Sequence, residues 1–128
     1  MADYAGVFPH GQLPGALELA FVGDSVYDLT VRAHLVREGG RVCDLHRRAV
    51  GFVKAKAQSE ALLRAEPFLT EEEAGVVRRA RNARQTPTKN ADAADYHRAT
   101  ALEALIGFLY LTGREDRLNE ILKICLNF

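Results

Sequence analysis

The two most apolar stretches of this sequence both contain carboxylates. The first predicts a helix over residues 14–37, with Pro14 in its first turn and Gly39-Gly40 at its end. Its apolar residues cover two helical stripes, which predicts a helix buried round most of its circumference, although Asp24 and Asp28 interrupt it. The stripes are Leu19, Val22, Val26, Leu29, Ala33 and Val36, and Leu17, Ala20, Phe21, Val31 and Leu35.

The second stretch, residues 101–111, is apolar almost all round and contains Glu103. It predicts a helix that begins after Asp92 or Asp95 as N-cap and ends near residue 112. An unpaired carboxylate is costly to bury. Asp24 and Glu103 should therefore each pair with a cation, be protonated or cap a local group, or else share a divalent cation, which prefers oxygen ligands. The spacing alone leaves both interpretations open.

The other segments also carry helical periodicity, and none alternates as a strand does. Asp44 is the expected N-cap of a second helix, and Thr70 with Glu73 forms a capping box for a third. The sequence therefore predicts an all-α fold with two buried central helices. The further predicted segments are a second helix over 44–64, a third over 71–84, a loop over 85–91 and a final amphipathic helix over 114–128.

Composition limits the classes of protein that this chain can represent. Its 128 residues suit one domain, and 48% hydrophobic residues can form a core without disulfides. Cys43 and Cys125 have no metal-binding spacing and are expected to be reduced. No apolar run reaches the length of a membrane span, so we expect a soluble, cytoplasmic protein. The net charge is zero, but Lys and Arg concentrate in 41–64 and 78–98, which is a weak indication of a basic face.

Two motifs around the carboxylates resemble the ribonuclease III catalytic domain. Residues 19–27, Leu-Ala-Phe-Val-Gly-Asp-Ser-Val-Tyr, resemble its signature helix, and residues 100–107, Thr-Ala-Leu-Glu-Ala-Leu-Ile-Gly, resemble its second catalytic helix. The resemblance is closest to the Mini-III branch, the small bacterial relatives that lack a double-stranded-RNA-binding domain. Three further stretches resemble that branch: 44–48, 70–73 and 81–90.

The resemblance implies a metal-dependent endoribonuclease that cuts double-stranded RNA and leaves 5′-phosphate and 3′-hydroxyl ends. It implies one catalytic domain over residues 1–128, Asp24 and Glu103 as catalytic and metal-binding residues, and Mg2+ as the cofactor, with Mn2+ as a substitute. Its target would be the 23S ribosomal RNA precursor, with a ribosomal protein as a potential helper. A two-fold homodimer is expected because a duplex presents two antiparallel strands, and because the apolar helices suit an interface.

Two acidic positions of full-length ribonuclease III are absent here. Ala20 stands four residues before Asp24, and Thr100 stands three residues before Glu103, where that family carries acids. The Mini-III branch shares both differences. Thr100 remains a candidate for holding a metal-bound water, with a hydrogen bond to its own helical turn as the equal alternative. We therefore expect weak metal binding until RNA completes the coordination.

Basic residues near the motifs are the candidates for RNA contact. Duplex RNA is recognised through phosphates and 2′-hydroxyls, so binding should be led by shape and sensitive to salt. His46, beside two arginines, is a secondary candidate, whereas His34 and His97 are expected to be ordinary surface or packing residues. The RNA-binding candidates are Arg47, Arg48, Arg78, Arg79, Arg81, Asn82, Arg84 and Lys89.

Three other hypotheses compete with the nuclease. A catalytically silent RNA-binding module of the same fold would act in ribosome assembly without divalent-dependent cleavage. A histidine-aspartate phosphohydrolase would need a His-Asp dipeptide, which the sequence lacks. A purely structural bundle predicts no divalent binding and an Asp24→Asn variant that is neutral or stabilised.

Overall fold

A computed structural model describes residues 13–87, 89 and 92–128, and these residues form helices and no strand. The predicted all-α fold is confirmed, and two of the helices, the first and the fifth, are longer than the others. The helices are α1 (Ala16–Glu38), α2 (Val42–Val53), α3 (Ala55–Ala65), α4 (Glu71–Arg81), α5 (Ala93–Leu111) and α6 (Glu115–Leu126), with a short 3-10 turn at Glu66–Phe68.

Helix α5 is the centre of the core. From Ala99 to its end at Leu111, every residue except Glu103 and Tyr110 is buried. Helices α1, α3 and α4 pack around it, and α6 packs against α3 and α5. This explains why the sequence of α5 is apolar on all sides: each side faces another helix. No helix in the described part of the chain has the length and hydropathy of a membrane span.

Helix α1 is buried on one side only. Leu19, Tyr27 and Val31 face the core. The opposite side of α1, which takes residues from both predicted stripes, is not covered by the described residues: Phe21 is 82% exposed and Leu29 is 68% exposed, and Leu17 and Val36 are also exposed. Burial round most of the circumference of α1, as predicted from the sequence, is therefore absent in the described part of the chain.

The segment predicted as one helix over 44–64 is two helices. Lys54 adopts an extended conformation between α2 and α3. The break lets the two halves face different partners, because α2 packs on α1 whereas α3 packs on α5 and α6. Periodicity within each half resembles that of one continuous helix, so the sequence did not indicate the change of direction.

Several predicted helix ends were wrong by a few residues. Pro14 precedes the N-cap Gly15 rather than lying in the first turn. Asp44 lies inside the first turn of α2, where it pairs with Arg41 and Arg47. Helix α4 ends at Arg81, three residues early. Described residues of the predicted 85–91 loop are outside helices; residues 88, 90 and 91 lie outside the described part.

Two predicted caps are confirmed. Asp92 is the N-cap of α5, where its side chain accepts from the backbone N–H of Asp95. The Thr70–Glu73 capping box begins α4. Glu73 is 2% exposed and also accepts two hydrogen bonds from Arg117 of α6, at 2.8 and 2.9 Å. A single carboxylate thus caps α4 and connects it to α6.

Candidate active site

Two glycines set the distance between α1 and α5. A Cβ placed on Gly23 would lie 1.7 Å from the carbonyl oxygen of Glu103, and one on Gly107 would lie 1.9 Å from the carbonyl oxygen of Leu19. Any side chain at either position would collide with backbone, which cannot move as a flexible side chain does. The two helices therefore cross at backbone contact, and each glycine belongs to one of the two sequence motifs.

This crossing brings Asp24 and Glu103 together. Asp24 follows Gly23 directly, and Glu103 supplies the carbonyl that Gly23 contacts. Burial and the adjacent Asp24 carboxyl raise the pKa of Glu103 to about 8. The Asp24 side chain is exposed and that of Glu103 is half-buried, so the expected full burial inside apolar helices is absent. The pair instead lies at the edge of the core, where solvent and a substrate can reach it.

Helix α3 adds a third side chain to the pair. Gln58 is 3% exposed and faces Glu103, whose pKa it lowers by hydrogen bonding to the charged form. Its Nε2 has no hydrogen-bond partner of normal geometry among the described residues. Buried amides are seldom left unpaired. The arrangement leaves Gln58 ready to donate to a carboxylate oxygen of Glu103 once that group is ionised.

Thr100 lies one helical turn before Glu103 and is 7% exposed. Its hydroxyl donates to the carbonyl of Tyr96 at 3.1 Å and accepts from Nε2 of Gln85 at 2.8 Å. The hydrogen bond to its own turn is therefore present, and Gln85 holds the hydroxyl from the loop before α5. A role toward a metal-bound water remains a prediction.

Tyr27, one turn after Asp24, is a buried titratable group close to the pair. Burial, together with the nearby Cys125 and Glu103, raises its pKa far above the usual range. The phenol stays neutral at physiological pH. It therefore supplies no base for a reaction at Asp24 and Glu103.

The donor set at the pair fits a hard divalent cation. Two carboxylates are held together, no described Lys or Arg forms an ion pair with either, and burial together with repulsion from Asp24 raises the pKa of Glu103. A cation between them would remove that repulsion, and oxygen ligands are what Mg2+ prefers. No group of three or more His, Cys, Asp or Glu suited to a metal occurs within the described ranges. The protein thus offers few charged ligands of its own.

The RNA-binding candidates fall into two groups. On α2, Arg47 pairs with Asp44 at 3.0 Å and Arg48 pairs with Glu38, while the exposed His46 borders a mainly apolar groove. The second group, on α4 and in the loop after it, is exposed and forms no ion pair with any described residue; it comprises Arg78, Arg79, Arg81, Asn82, Arg84 and Lys89. The second group is thus freer to meet phosphates.

Sequence reasoning missed three residues near these surfaces. Gln58 is one of two polar residues, with Ser59, on the buried side of α3, which was the available signal. Arg98 donates to the buried Ser59 at 2.6 Å and pairs with Asp95. His97 was expected to be an ordinary surface or packing residue, but its Nδ1 is buried without a hydrogen-bond partner among the described residues.

Comparison with known proteins agrees with this geometry. The Ribonuclease III domain family matches residues 17–114, which include both motifs. The chain belongs to the ribonuclease III family. Within that family its relatives are Mini-ribonuclease 3 proteins, so the resemblance seen in the sequence is confirmed.

Three relatives give the extent of the similarity. Mini-ribonuclease 3 of Brevibacillus brevis is 50% identical over 113 residues, covering 87% of this chain and 84% of that protein. Mini-ribonuclease 3 of Symbiobacterium thermophilum is 46% identical over 114 residues, covering 88% of both. A crystal structure of a Fusobacterium nucleatum protein superposes with a TM-score of 0.81 at 33% identity, covering 88% of this chain and 92% of that one. The chain is therefore a metal-dependent endoribonuclease that acts on double-stranded RNA.

Proposed function

We propose that Asp24 and Glu103 together hold a catalytic Mg2+, for which Mn2+ can substitute, and that this pair cuts duplex RNA. The observation that carries the proposal is the glycine-lined crossing of α1 and α5, which holds the two carboxyls together and raises the pKa of Glu103 to about 8. When bound, a divalent cation supplies Lewis acidity toward the scissile phosphate and acidifies water.

The side chains of the pair differ in exposure. The exposed carboxylate of Asp24 faces solvent, where RNA arrives, and the half-buried Glu103 is fixed from behind by α3. Glu103 must lose its proton to bind the cation, and the positive charge of the cation itself would favour the ionised carboxylate. No side-chain base is required, which agrees with the neutral phenol of Tyr27. The products would carry 5′-phosphate and 3′-hydroxyl ends.

The direct test is cleavage of a long RNA duplex with Mg2+, with Mn2+ and with a chelator. We expect cleavage with either cation and none with the chelator. The Asp24→Asn and Glu103→Gln variants should be folded and bind the duplex but be slower by about 10³-fold or more, as for loss of a metal ligand. Wild-type protein that binds duplex RNA without cutting it would favour the silent RNA-binding module instead.

We propose that the second group of basic residues is the main RNA-binding surface. These residues lie at the C-terminal end of α4 and in the segment that follows it. That segment leads into α5, the helix that carries Glu103. Arg47 and Arg48 are weaker candidates because each already has an acidic partner. Removing charge at Arg81, Arg84 and Lys89 should make the dependence of duplex affinity on salt shallower, since fewer counterions are released. An unchanged slope places the RNA elsewhere.

We propose that the enzyme is a two-fold homodimer. The exposed apolar side of α1 supports this, because Phe21 and Leu17 lie one and two turns before Asp24 on the same helix and no described residue covers them. A dimer through this face would place two sites near one another, as two antiparallel strands require. We expect Phe21→Arg to yield a monomer by light scattering and to reduce cleavage of both strands.

We propose the 23S ribosomal RNA precursor as the physiological target and the cytoplasm as the place of action. The support is the similarity to Mini-ribonuclease 3 proteins over most of their length. Incubation with a transcript that pairs the two ends of the precursor, followed by mapping of the cuts, tests the target. Repeating the assay with ribosomal proteins shows whether one of them assists.

A further inference from the structure

A surface cavity of about 480 Å³ lies between α4, the N-terminal turns of α5 and the 3-10 turn. It is distinct from the carboxylate pair, none of whose residues line it. Its polar lining contains three arginines, Arg78, Arg81 and Arg98, together with Asn82, His97 and the acidic Glu66. The cavity thus combines two of the candidate arginines with two side chains from α5 that have no task at the carboxylate pair.

The three arginines of the lining differ in whether they already have an acidic or hydrogen-bonding partner. Arg98 is held by Asp95 at 3.2 Å and by Ser59 at 2.6 Å. Arg78 and Arg81 form no ion pair with any described residue, and both are exposed. The guanidinium of Arg98 is therefore already engaged by these partners. The two α4 arginines retain their full hydrogen-bonding capacity for an incoming anion.

His97 provides an independent indication of a ligand. Its Nδ1 is buried, yet it finds no hydrogen-bond partner among the described residues. An unsatisfied buried ring nitrogen costs about 1–3 kcal/mol, so its persistence calls for an explanation. Because His97 lines the cavity, a group that enters it would supply that partner once the imidazole turns Nδ1 toward the cavity.

We propose that this cavity binds a backbone phosphate of the RNA duplex, held by Arg78 and Arg81 and by a hydrogen bond from Nδ1 of His97. The inference rests on the proposed function, because it names a second point at which the same substrate is held. A phosphate matches the lining, since guanidinium groups bind its oxygens bidentately and the imidazole adds a single donor.

The cavity cannot hold the scissile phosphate itself. His97 precedes Glu103 by six residues on α5, which is about 9 Å along the helix axis. The phosphate bound in the cavity is therefore a different one from the phosphate that is cut. Held there, it would fix the position of the strand relative to Asp24 and Glu103, which makes His97 a positioning residue rather than a catalytic one.

The test compares matched variants by duplex affinity without divalent cation. His97→Phe removes the ring nitrogens, whereas His97→Asn retains a donor near the Nδ1 position. We expect about a tenfold loss of affinity for His97→Phe, a loss within about threefold for His97→Asn, and about tenfold for Arg81→Gln. The salt slope should fall by roughly one for Arg81→Gln. Lys123→Gln, which removes a charge from a different cavity, should change neither.

A second measurement follows the resonances of His97, a residue that lines the cavity. The ring nitrogen resonances of His97 in the wild-type protein should shift on addition of duplex RNA, and inorganic phosphate at millimolar concentration should compete weakly. A shift with phosphate but none with duplex would make this a small-anion site and overturn the RNA assignment. No shift with either, or a His97→Phe variant with wild-type affinity, would overturn the proposal while wild-type cleavage still supports the nuclease. If the His97 resonances shift on addition of duplex RNA but the wild-type protein does not cleave it, only the proposed function is overturned.

Discussion

Gly23 of α1 and Glu103 of α5 meet at backbone contact: a Cβ on Gly23 would lie 1.7 Å from the carbonyl oxygen of Glu103. This contact joins the two sequence motifs, and Gly23 directly precedes Asp24. The fold and the active site therefore depend on one crossing. Changes at the glycines should damage stability and catalysis together.

Gly23→Ala should destabilise the protein by about 3 kcal/mol or more, because the new methyl group overlaps a carbonyl and the helices must separate. Gly51→Ala is the matched control, since its new methyl group would have no neighbour within 4 Å and it also lies inside a helix. It should gain up to about 1 kcal/mol from helix propensity. Urea unfolding measures both; equal effects would refute the crossing as described.

Replacing one carboxylate of the pair should stabilise the metal-free protein while removing activity. The pKa of Glu103 is raised to about 8 in the folded chain, so the unfolded chain releases the proton first and wild-type stability falls as pH rises from about 4.5 to 8. Glu103→Gln lacks this loss, and its advantage should grow across that window. Thermal unfolding with a chelator from pH 5 to 9 tests this. An advantage that shrinks with pH would contradict the pKa.

From the sequence alone, a neutral or stabilised Asp24→Asn variant would indicate a purely structural bundle. With the two carboxyls held together, a stabilised variant no longer identifies such a bundle. The nuclease also predicts relief of repulsion when one carboxylate is neutralised. Divalent binding and cleavage are the measurements that separate the two hypotheses.

The Glu73–Arg117 pair should stabilise the fold in a pH-dependent way. Hydrogen bonds from Arg117 hold the pKa of Glu73 below its usual range, so its contribution is complete above the unfolded pKa and is lost as pH falls through the lower folded value. Glu73→Gln keeps the capping box but loses the charge. We expect it to cost about 2 kcal/mol at pH 7 and clearly less at pH 3. A cost independent of pH would assign the effect to packing alone.

Metal binding to the RNA-free protein should be weak. Two carboxylates and no third acidic ligand are present at the crossing in the described chain, and Mg2+ often binds through one or two carboxylates plus substrate phosphates. Calorimetric titration with Mg2+ should show little heat without RNA. Thr100→Asp should tighten binding if position 100 faces the cation. Tight binding by the wild type would contradict the first expectation, and no gain by Thr100→Asp would place position 100 outside the site.

The sequence predicted the parts of the site that local motifs carry. Asp24 and Glu103 stood out because each lies inside an apolar helix, and they were named as the site because the motifs around them resemble the ribonuclease III catalytic domain; the structure brings them together. Gln58 could not be placed, because its approach to Glu103 depends on the extended residue Lys54, which nothing in the local pattern indicates. The exposure of one side of α1 was also unpredictable. Helical periodicity indicates which residues are apolar, but it does not indicate whether residues of the same chain pack against them.

The most direct test of the central claim is a double-mutant comparison of duplex cleavage with saturating Mg2+. If Asp24 and Glu103 hold one cation, Asp24→Asn and Glu103→Gln each remove the same function, and the double variant should be no slower than the slower single variant. We predict a loss of about 10³-fold or more in all three, in folded protein that still binds duplex RNA. Losses that multiply in the double variant, or near wild-type cleavage by either single variant, would contradict a shared metal site.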